Sequence, residues 1–481
     1  MNSRDTRRRS TVPRLPGVVL LMILVVSAAG RPIQLLDENP HYLEWRGEPT
    51  VLITSGEHYG AVLNRAFDYR RYLKALESYD FNLTRTFTGA YCEPPGAFNI
   101  QHNTLAPAGG ELICPWARSE EPGYANGGNR FDLTKWNPAY FRRLRDFLSQ
   151  ANKHGVVVEL VLFCPFYKDS MWDLSPMNAA NNVNGVGTCE REEAYTLKHA
   201  SLQAVQDRMV RKIVRELQDF DNLYYEICNE PYFGGVTLEW QAHIAEVIAQ
   251  AEEGFEHKHL IAQNIANKYA KIEDPNPLVS IFNFHYAKPE AAMDNYGLNR
   301  VLGDDETGFR GSDPTPYRLE GWRFMLAGGA VYSNLDYSFT VGHEDGSAKN
   351  KAPGSVGSAM HKQLQILGGF LRGFDFWKMK PSQSAIERIS PKASHVQVLA
   401  DTGRAYAIHV SGAAKTELHL RLPAGEYGVE WLDTKTGSVV ESKNIKHEGG
   451  SRSFRSPAYE DDIALRILQG RQASSQTKGR S

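Results

Sequence analysis

Two strings in the 481-residue sequence carry side chains able to do acid–base chemistry. One is Tyr225-Glu226-Ile227-Cys228-Asn229-Glu230-Pro231, and the other is Val301-Leu302-Gly303-Asp304-Asp305-Glu306-Thr307-Gly308. Each starts as an apolar, strand-like run and closes on carboxylates. A positioned carboxyl can lend a proton or attack as a nucleophile, and several together can hold a hard divalent cation. Side chains alternate along a strand. Glu226, Cys228 and Glu230 therefore share one face, with Glu230 last. The same rule puts Asp304 beside Glu306 and turns Asp305 away, so both aspartates compete with Glu306 for the catalytic position. The three adjacent acids also leave open a metal-dependent barrel lyase or hydrolase built on Asp304, Asp305 and Glu306.

The elements that must position these acids recur along the chain. Strand-like runs fall at 51–55, 82–87, 156–163, 223–228, 259–264, 279–284, 300–304 and 330–335. Amphipathic helical patterns separate most of them, at 68–79, 137–153, 192–218, 237–256, 314–327 and 358–372. Eight such units predict an α/β fold, a (β/α)8 barrel, with a doubly wound open sheet as runner-up. Residues 39–50 read as a hairpin closing the barrel bottom. A barrel of this kind works at the C-terminal ends of its strands. Glu230 and Glu306 would then face each other across the mouth, at strands four and seven. That is the arrangement glycosidic hydrolysis needs, one carboxyl protonating the leaving oxygen while the other attacks or activates water. His58 and Tyr59 after strand one, and Asn334 and Asp336 after strand eight, are candidates for the same mouth. Trp116, Tyr167, Trp172 and Tyr232 lie on loops at that face, where each could stack on a sugar or pack within its loop.

From residue 381 the apolar residues alternate at period two with glycine turns, which predicts a small antiparallel β-sandwich. The domains expected are a signal peptide at 1–30, the barrel at 31–380, the sandwich at 381–470 and a disordered tail at 471–481. Residues 1–16 carry Arg4, Arg7, Arg8, Arg9 and Arg14, followed by an apolar run closing on Ser27-Ala28-Ala29-Gly30. This reads as a cleaved secretory signal, so a secreted or periplasmic protein without stable membrane insertion is expected; an uncleaved anchor is the alternative. The 54 basic and 56 acidic residues leave a net charge of −2, no footprint for a nucleic-acid partner. The long loops after strands two and three each hold two cysteines. In an exported chain this predicts the disulfides Cys92–Cys114 and Cys164–Cys189, with Cys228 left over.

Asn229-Glu230-Pro231 ending strand four, with a glutamate ending strand seven, resembles the clan A glycoside hydrolases, in particular the family 5 cellulase-like group. Arg85, in Asn82-Leu83-Thr84-Arg85, matches the arginine usual at the end of strand two, and His285-Tyr286 resembles the element after strand six. Pro423-x-Gly425-x-Tyr427, Glu430-Trp431-Leu432-Asp433 and Thr436-Gly437 resemble the C-terminal sandwich of the collagen-binding type that some barrel hydrolases carry. The resemblance implies a retaining glycosidase acting on a poly- or oligosaccharide without cofactor or metal. Glu230 would be the acid/base and Glu306 the nucleophile, whose charge would keep Glu230 protonated. Asn229 would bind the sugar 2-hydroxyl, His285 would contact other hydroxyls, and Tyr286 and Arg85 would orient Glu306. Two positions depart from the pattern. Strand three ends in Phe163-Cys164-Pro165-Phe166-Tyr167 rather than on histidine, and strand eight in Ser333-Asn334-Leu335-Asp336-Tyr337 rather than on tryptophan. A catalytically decayed carbohydrate-binding barrel is therefore the second reading.

Overall fold

The computed structural model describes Met1 and residues 30–350, 353–392 and 394–470. The expected tail and all but the two ends of the expected signal segment lie outside the described residues. Eight parallel strands form the barrel: β1 (Leu52–Gly56), β2 (Leu83–Phe87), β3 (Val157–Phe163), β4 (Leu223–Cys228), β5 (Ile261–Asn267), β6 (Ile281–His285), β7 (Val301–Glu306) and β8 (Val331–Leu335). Their order is β1-β8-β7-β6-β5-β4-β3-β2. The seam between β1 and β2 is closed by Asn82, whose amide receives the Ile53 N–H at 2.9 Å and donates to the Val51 carbonyl at 2.8 Å. Nearly every strand residue is buried, as in parallel sheets covered on both faces.

Helices α1 (Tyr69–Ser78), α2 (Pro138–Lys153), α3 (Ala200–Glu216), α4 (Leu238–Ala251), α5 (Pro289–Met293), α6 (Thr315–Leu326) and α7 (Gly357–Arg372) surround the strands. Asp68, Asn137 and Thr237 cap α1, α2 and α4 through their side chains, which sets those starts where the sequence places them. Among the described residues no helix joins β5 to β6, and α5 is little more than one turn. The helix expected from residue 192 starts at Ala200, because Tyr195 turns inward to stack on Phe166 and pack against Trp240. The expected bottom hairpin is present as Leu43–Trp45 against Glu48–Thr50. Arg46 in its turn reaches Asp221, just before β4, at 3.0 Å.

The C-terminal part contains β9 (Ile386–Ser390), β10 (His395–Asp401), β11 (Ala405–Ser411), β12 (Glu417–Leu422), β13 (Gly425–Asp433), β14 (Val439–His447), β15 (Gly450–Arg455) and β16 (Asp462–Gln469). One sheet runs β10-β11-β16-β13-β14, extended at its β10 edge by the short strand Lys380–Pro381. The other runs β9-β12-β15, and all pairs are antiparallel. Tyr406, Ile408, Leu418, Leu420, Trp431 and Leu465 fill the space between them. Alternate residues of the larger sheet, Leu399, Ala407, Leu432 and Ala464, join the barrel core instead. Arg318 of α6 anchors this junction. It donates to Asp462 at 2.9 and 2.7 Å and to Gln363 at 2.7 Å, and His409 meets the other Asp462 oxygen at 3.0 Å. No helix among the described residues is long and apolar enough to cross a membrane.

Candidate active site

Glu230 stands one residue beyond the end of β4 and Glu306 is the last residue of β7, and an oxygen of each lies within 4.8 Å of the other. Glu230 receives the hydroxyls of Tyr167 at 2.6 Å and Tyr232 at 3.2 Å. Glu306 receives Tyr59 at 2.8 Å, Tyr286 at 3.2 Å and Arg85 at 3.4 Å. His285 sits between them. Its Nδ1 is 3.3 Å from Glu230 and 3.5 Å from Glu306, and its Nε2 is 3.4 Å from Asp305. Asn229 accepts from Arg85 at 2.9 Å and donates to the Tyr167 hydroxyl at 2.9 Å. Seven predicted residues, Tyr59, Arg85, Asn229, Glu230, His285, Tyr286 and Glu306, thus form one hydrogen-bonded cluster.

Beneath this cluster Arg85 is the one cation among four carboxylates. It contacts Glu226, lies 3.1 Å from Asp305 and 3.4 Å from Glu306, and is 3.9 Å from Glu159. Burial drives the Glu159 and Asp305 carboxyls well up, while at Glu226 the Arg85 charge and hydrogen bonds with Asp305, Glu159 and Arg85 together outweigh burial and hold it low. Of the four carboxyls, Glu226 makes the closest contact with Arg85. Asn283 donates to Glu159, Glu226 and Asp305 at 2.7, 3.1 and 2.9 Å.

The alternation expected on β7 is broken. Phe284 pairs with Asp304 but His285 pairs with Glu306, so β7 carries one extra residue, a bulge. Asp305 and Glu306 both turn inward as a result. Asp304 turns out, accepts the Ala287 N–H at 3.2 Å and is raised by burial and by Glu320. Asp304, Asp305 and Glu306 are therefore not gathered as a ligand set. Glu230, His285 and Glu306 do converge closely enough to ligate a metal ion. The Arg85 guanidinium against Glu306 opposes a second positive charge there.

The surroundings shift the two carboxyls in opposite directions. Burial pushes both carboxyls up. At Glu230 the contacts from His285, Tyr167 and Tyr232 outweigh it and leave the group below its usual range. At Glu306 burial prevails over His285 and Arg85, with the Glu230 charge adding to the rise.

A pocket of about 370 Å³ opens above the pair, at the small end of the range for ligand sites. Buried His58, Glu93, Glu306 and Asn229 form its floor, and Phe98, Phe233 and Phe309, each more than a third exposed, form its rim. Five lining residues have left-handed backbone: Tyr59, Phe98, Glu230, Tyr286 and Phe309, with φ from 37° to 65°. Such conformations cost roughly 1–3 kcal/mol each and collect at functional sites. His58 lines the pocket with both ring nitrogens unpartnered, and burial with the nearby Arg85 charge lowers its pKa to about 3, leaving a neutral ring.

Other expectations are not met. Asn334 donates to Ser55 at 3.1 Å, and Asp336 is paired with His361 at 2.5 Å and with Ser55 at 3.0 Å. Both lie behind the pocket wall, as structural groups. Trp116 and Trp172 are buried within their loops, whereas Tyr167 and Tyr232 reach Glu230. All five cysteines are free thiols, so neither expected disulfide forms. Cys164 points toward Asn229 and Tyr167 at the pocket, away from half-buried Cys189. Cys92 faces Tyr124 and the Leu174 carbonyl, while Cys114 turns back to the Trp116 carbonyl. Burial raises both of these thiols to about 12. Amide side chains hold the loops instead. Asn181 donates to Asp173 and Ser175, and Asn182 to Asn178 and Val186, at 2.7–2.9 Å.

Sequence reasoning missed Glu93, Phe98 and Phe309 as pocket residues. The available signal for the first two was the unusual length of the loop after β2.

No protein-family profile and no curated protein matches this chain. Solved structures do. A candidate glycoside hydrolase from Bacteroides vulgatus ATCC 8482 superposes with a TM-score of 0.65 at 14% identity, over 92% of this chain and 83% of that one. A glycoside hydrolase family 5 protein from the same strain gives 0.60 at 12% identity, over 91% and 93%. A further glycoside hydrolase gives 0.59 at 13% identity, over 92% and 97%. The barrel followed by a β-sandwich is therefore a fold shared with glycoside hydrolases, and the resemblance read from the sequence holds at that level.

Proposed function

We propose that this protein is a glycoside hydrolase that cleaves O-glycosidic bonds in a poly- or oligosaccharide by double displacement. The observation that carries the reading is the approach of Glu230 and Glu306 to within 4.8 Å at the ends of β4 and β7. Retaining enzymes hold their two carboxyls about 5–5.5 Å apart, whereas inverting ones leave about 6.5–9.5 Å for a water. In the first step an oxygen of Glu306 would form a bond to the anomeric carbon as the glycosidic C–O bond breaks, and Glu230 would give its proton to the departing oxygen. In the second, Glu230 would take a proton from water, whose oxygen would displace Glu306 and regenerate both groups. Tyr59, Tyr286 and Arg85 supply the donors that stabilise an ionised Glu306.

The proton must sit on Glu230 when the bond breaks. Positive charge developing at the anomeric carbon favours an ionised Glu306, and that charge in turn raises Glu230. The N-terminal signal pattern supports export, and the carbohydrate is the expected partner. Glu306→Ala should abolish hydrolysis of an activated aryl glycoside, and added azide should restore it with formation of a glycosyl azide. Loss of wild-type activity on chelation, or an inverted product anomer by NMR, would overturn the reading.

A further inference from the structure

We propose that His58 and Glu93 form a subsite for the hydroxyls of a neutral sugar, so that the pocket accepts uncharged glycosides and rejects anionic ones. This rests on the glycosidase reading and specifies its substrate class.

His58 and Glu93 are 7% and 4% exposed, and both line the floor of the pocket that holds Glu230 and Glu306. Buried polar groups are normally hydrogen-bonded. Neither ring nitrogen of His58 has a partner, although the ring itself is fixed between Tyr59 and Tyr337, at 5.2 and 5.3 Å between centroids. It is a rigid, neutral imidazole with one donor and one acceptor unspent. Glu93 is anchored from behind. One oxygen receives Tyr91 at 2.8 Å and the other receives Asn103 at 2.5 Å. Each oxygen keeps further accepting capacity. Burial raises this carboxyl to about 7 against the two hydrogen bonds that lower it.

The unspent capacity of this floor is mixed. Glu93 and one His58 nitrogen accept, and the other nitrogen donates. A hydroxyl both donates and accepts, so adjacent sugar hydroxyls satisfy the set. The carboxylate of a uronate, or a sulfate group, would bring only acceptors, against the pocket acids Glu93, Glu230 and Glu306. Among the described residues no lysine or arginine lines the pocket to receive an anion, and Arg85 beneath it is spent on Asn229 and the acid cluster. The pocket opens from this floor to the phenylalanine rim.

The test uses the full chain with aryl glycosides that share one leaving group and differ in the sugar. Neutral hexosides and pentosides are compared with the matching glucuronide, alongside 2-, 3-, 4- and 6-deoxy analogues. The expected result is turnover of at least one neutral glycoside and at least hundredfold lower kcat/KM for its uronate. Glu93→Ala and His58→Ala should each lower kcat/KM at least tenfold, mainly through KM. The deoxy analogue lacking the hydroxyl that each residue reads should lose nothing further in that variant. His58→Gln and the deoxy series on the wild-type protein decide the matter should His58→Ala fail to fold. Equal turnover of the uronate, or variants within twofold of wild type on the neutral substrate, would overturn the proposal while leaving hydrolysis intact. If no glycoside is turned over, the glycosidase reading fails. Calorimetry with the neutral monosaccharides then decides the subsite, and binding unchanged in Glu93→Ala and His58→Ala, or none in the wild type, overturns it.

Discussion

The pocket floor and the barrel–sandwich junction both bury an arginine among carboxylates, and they do so on opposite terms. At the junction Arg318 and Asp462 are both below 4% exposed, and their polar atoms are matched by each other, Gln363, Asp461 and His409. His409 lies between the Trp322 ring and Asp462, and neither carboxylate oxygen of Asp462 nor any guanidinium nitrogen of Arg318 is left without a partner. Under the pocket, one arginine serves four carboxylates. Oxygens of Glu159 and Asp305 and nitrogens of His58 and His285 lack partners within hydrogen-bonding geometry. Burial of unmatched polar groups costs about 1–3 kcal/mol each. A fold that tolerates this cost in one place and avoids it in another separates a surface built to receive a ligand from one built to stay closed.

That contrast fails most visibly if the acids of the floor turn out to be structural. Glu306→Ala should lower kcat/KM on the order of 10⁴-fold and leave the melting temperature unchanged or raised, since one carboxyl is removed from a crowded acid cluster. Glu230→Ala should lose about 10²–10⁴-fold on substrates with poor leaving groups and less on activated ones, because protonation matters least where the leaving oxygen is already stable. A large loss of Tm in either variant would place these groups on the junction's side of the comparison. Arg85→Met sits between the two regimes. It should abolish activity and also destabilise by about 3–5 kcal/mol, by stranding Glu226 as a buried unpaired charge, as denaturant titration would show.

Much of this was legible in the chain. Parallel barrel strands are continuous apolar runs bounded by capped helices, so all eight fell within a few residues of their places. Asn229-Glu230 and Glu306 came together because barrel topology alone brings the ends of strands four and seven to one mouth. The failures have local causes. Alternation misassigned Asp304 and Asp305 because a bulge adds one residue to β7, and a bulge leaves no composition signal when the bulged residue is not glycine. Asn334 and Asp336 were misplaced because Ser55 and His361, distant in sequence, bond them behind the wall. Paired cysteines in one loop suggested crosslinks, yet loop spacing says nothing about where a thiol points. Glu93 needed the fold of its loop, which Tyr91 and Asn103 set through the glutamate itself.

The junction offers the smaller and sharper test. Asp462→Asn should cost about 3 kcal/mol or more through an unpaired Arg318, with kcat/KM unchanged because the pocket is untouched. The carboxyl also makes the junction acid-sensitive. Burial alone would raise it, but His409 and Arg318 prevail and hold it down to about 2, against roughly 3.9 in an unfolded chain. A carboxyl depressed on folding stabilises the native state above its unfolded pKa, and the contribution is lost as pH falls toward the folded value. About 2 kcal/mol should therefore disappear between roughly pH 4 and pH 2. The asparagine variant lacks that group, so the wild-type and variant stability curves should converge over this window when followed by denaturant titration. Parallel curves would show that Asp462 titrates normally, and that the junction is no better matched than the pocket floor.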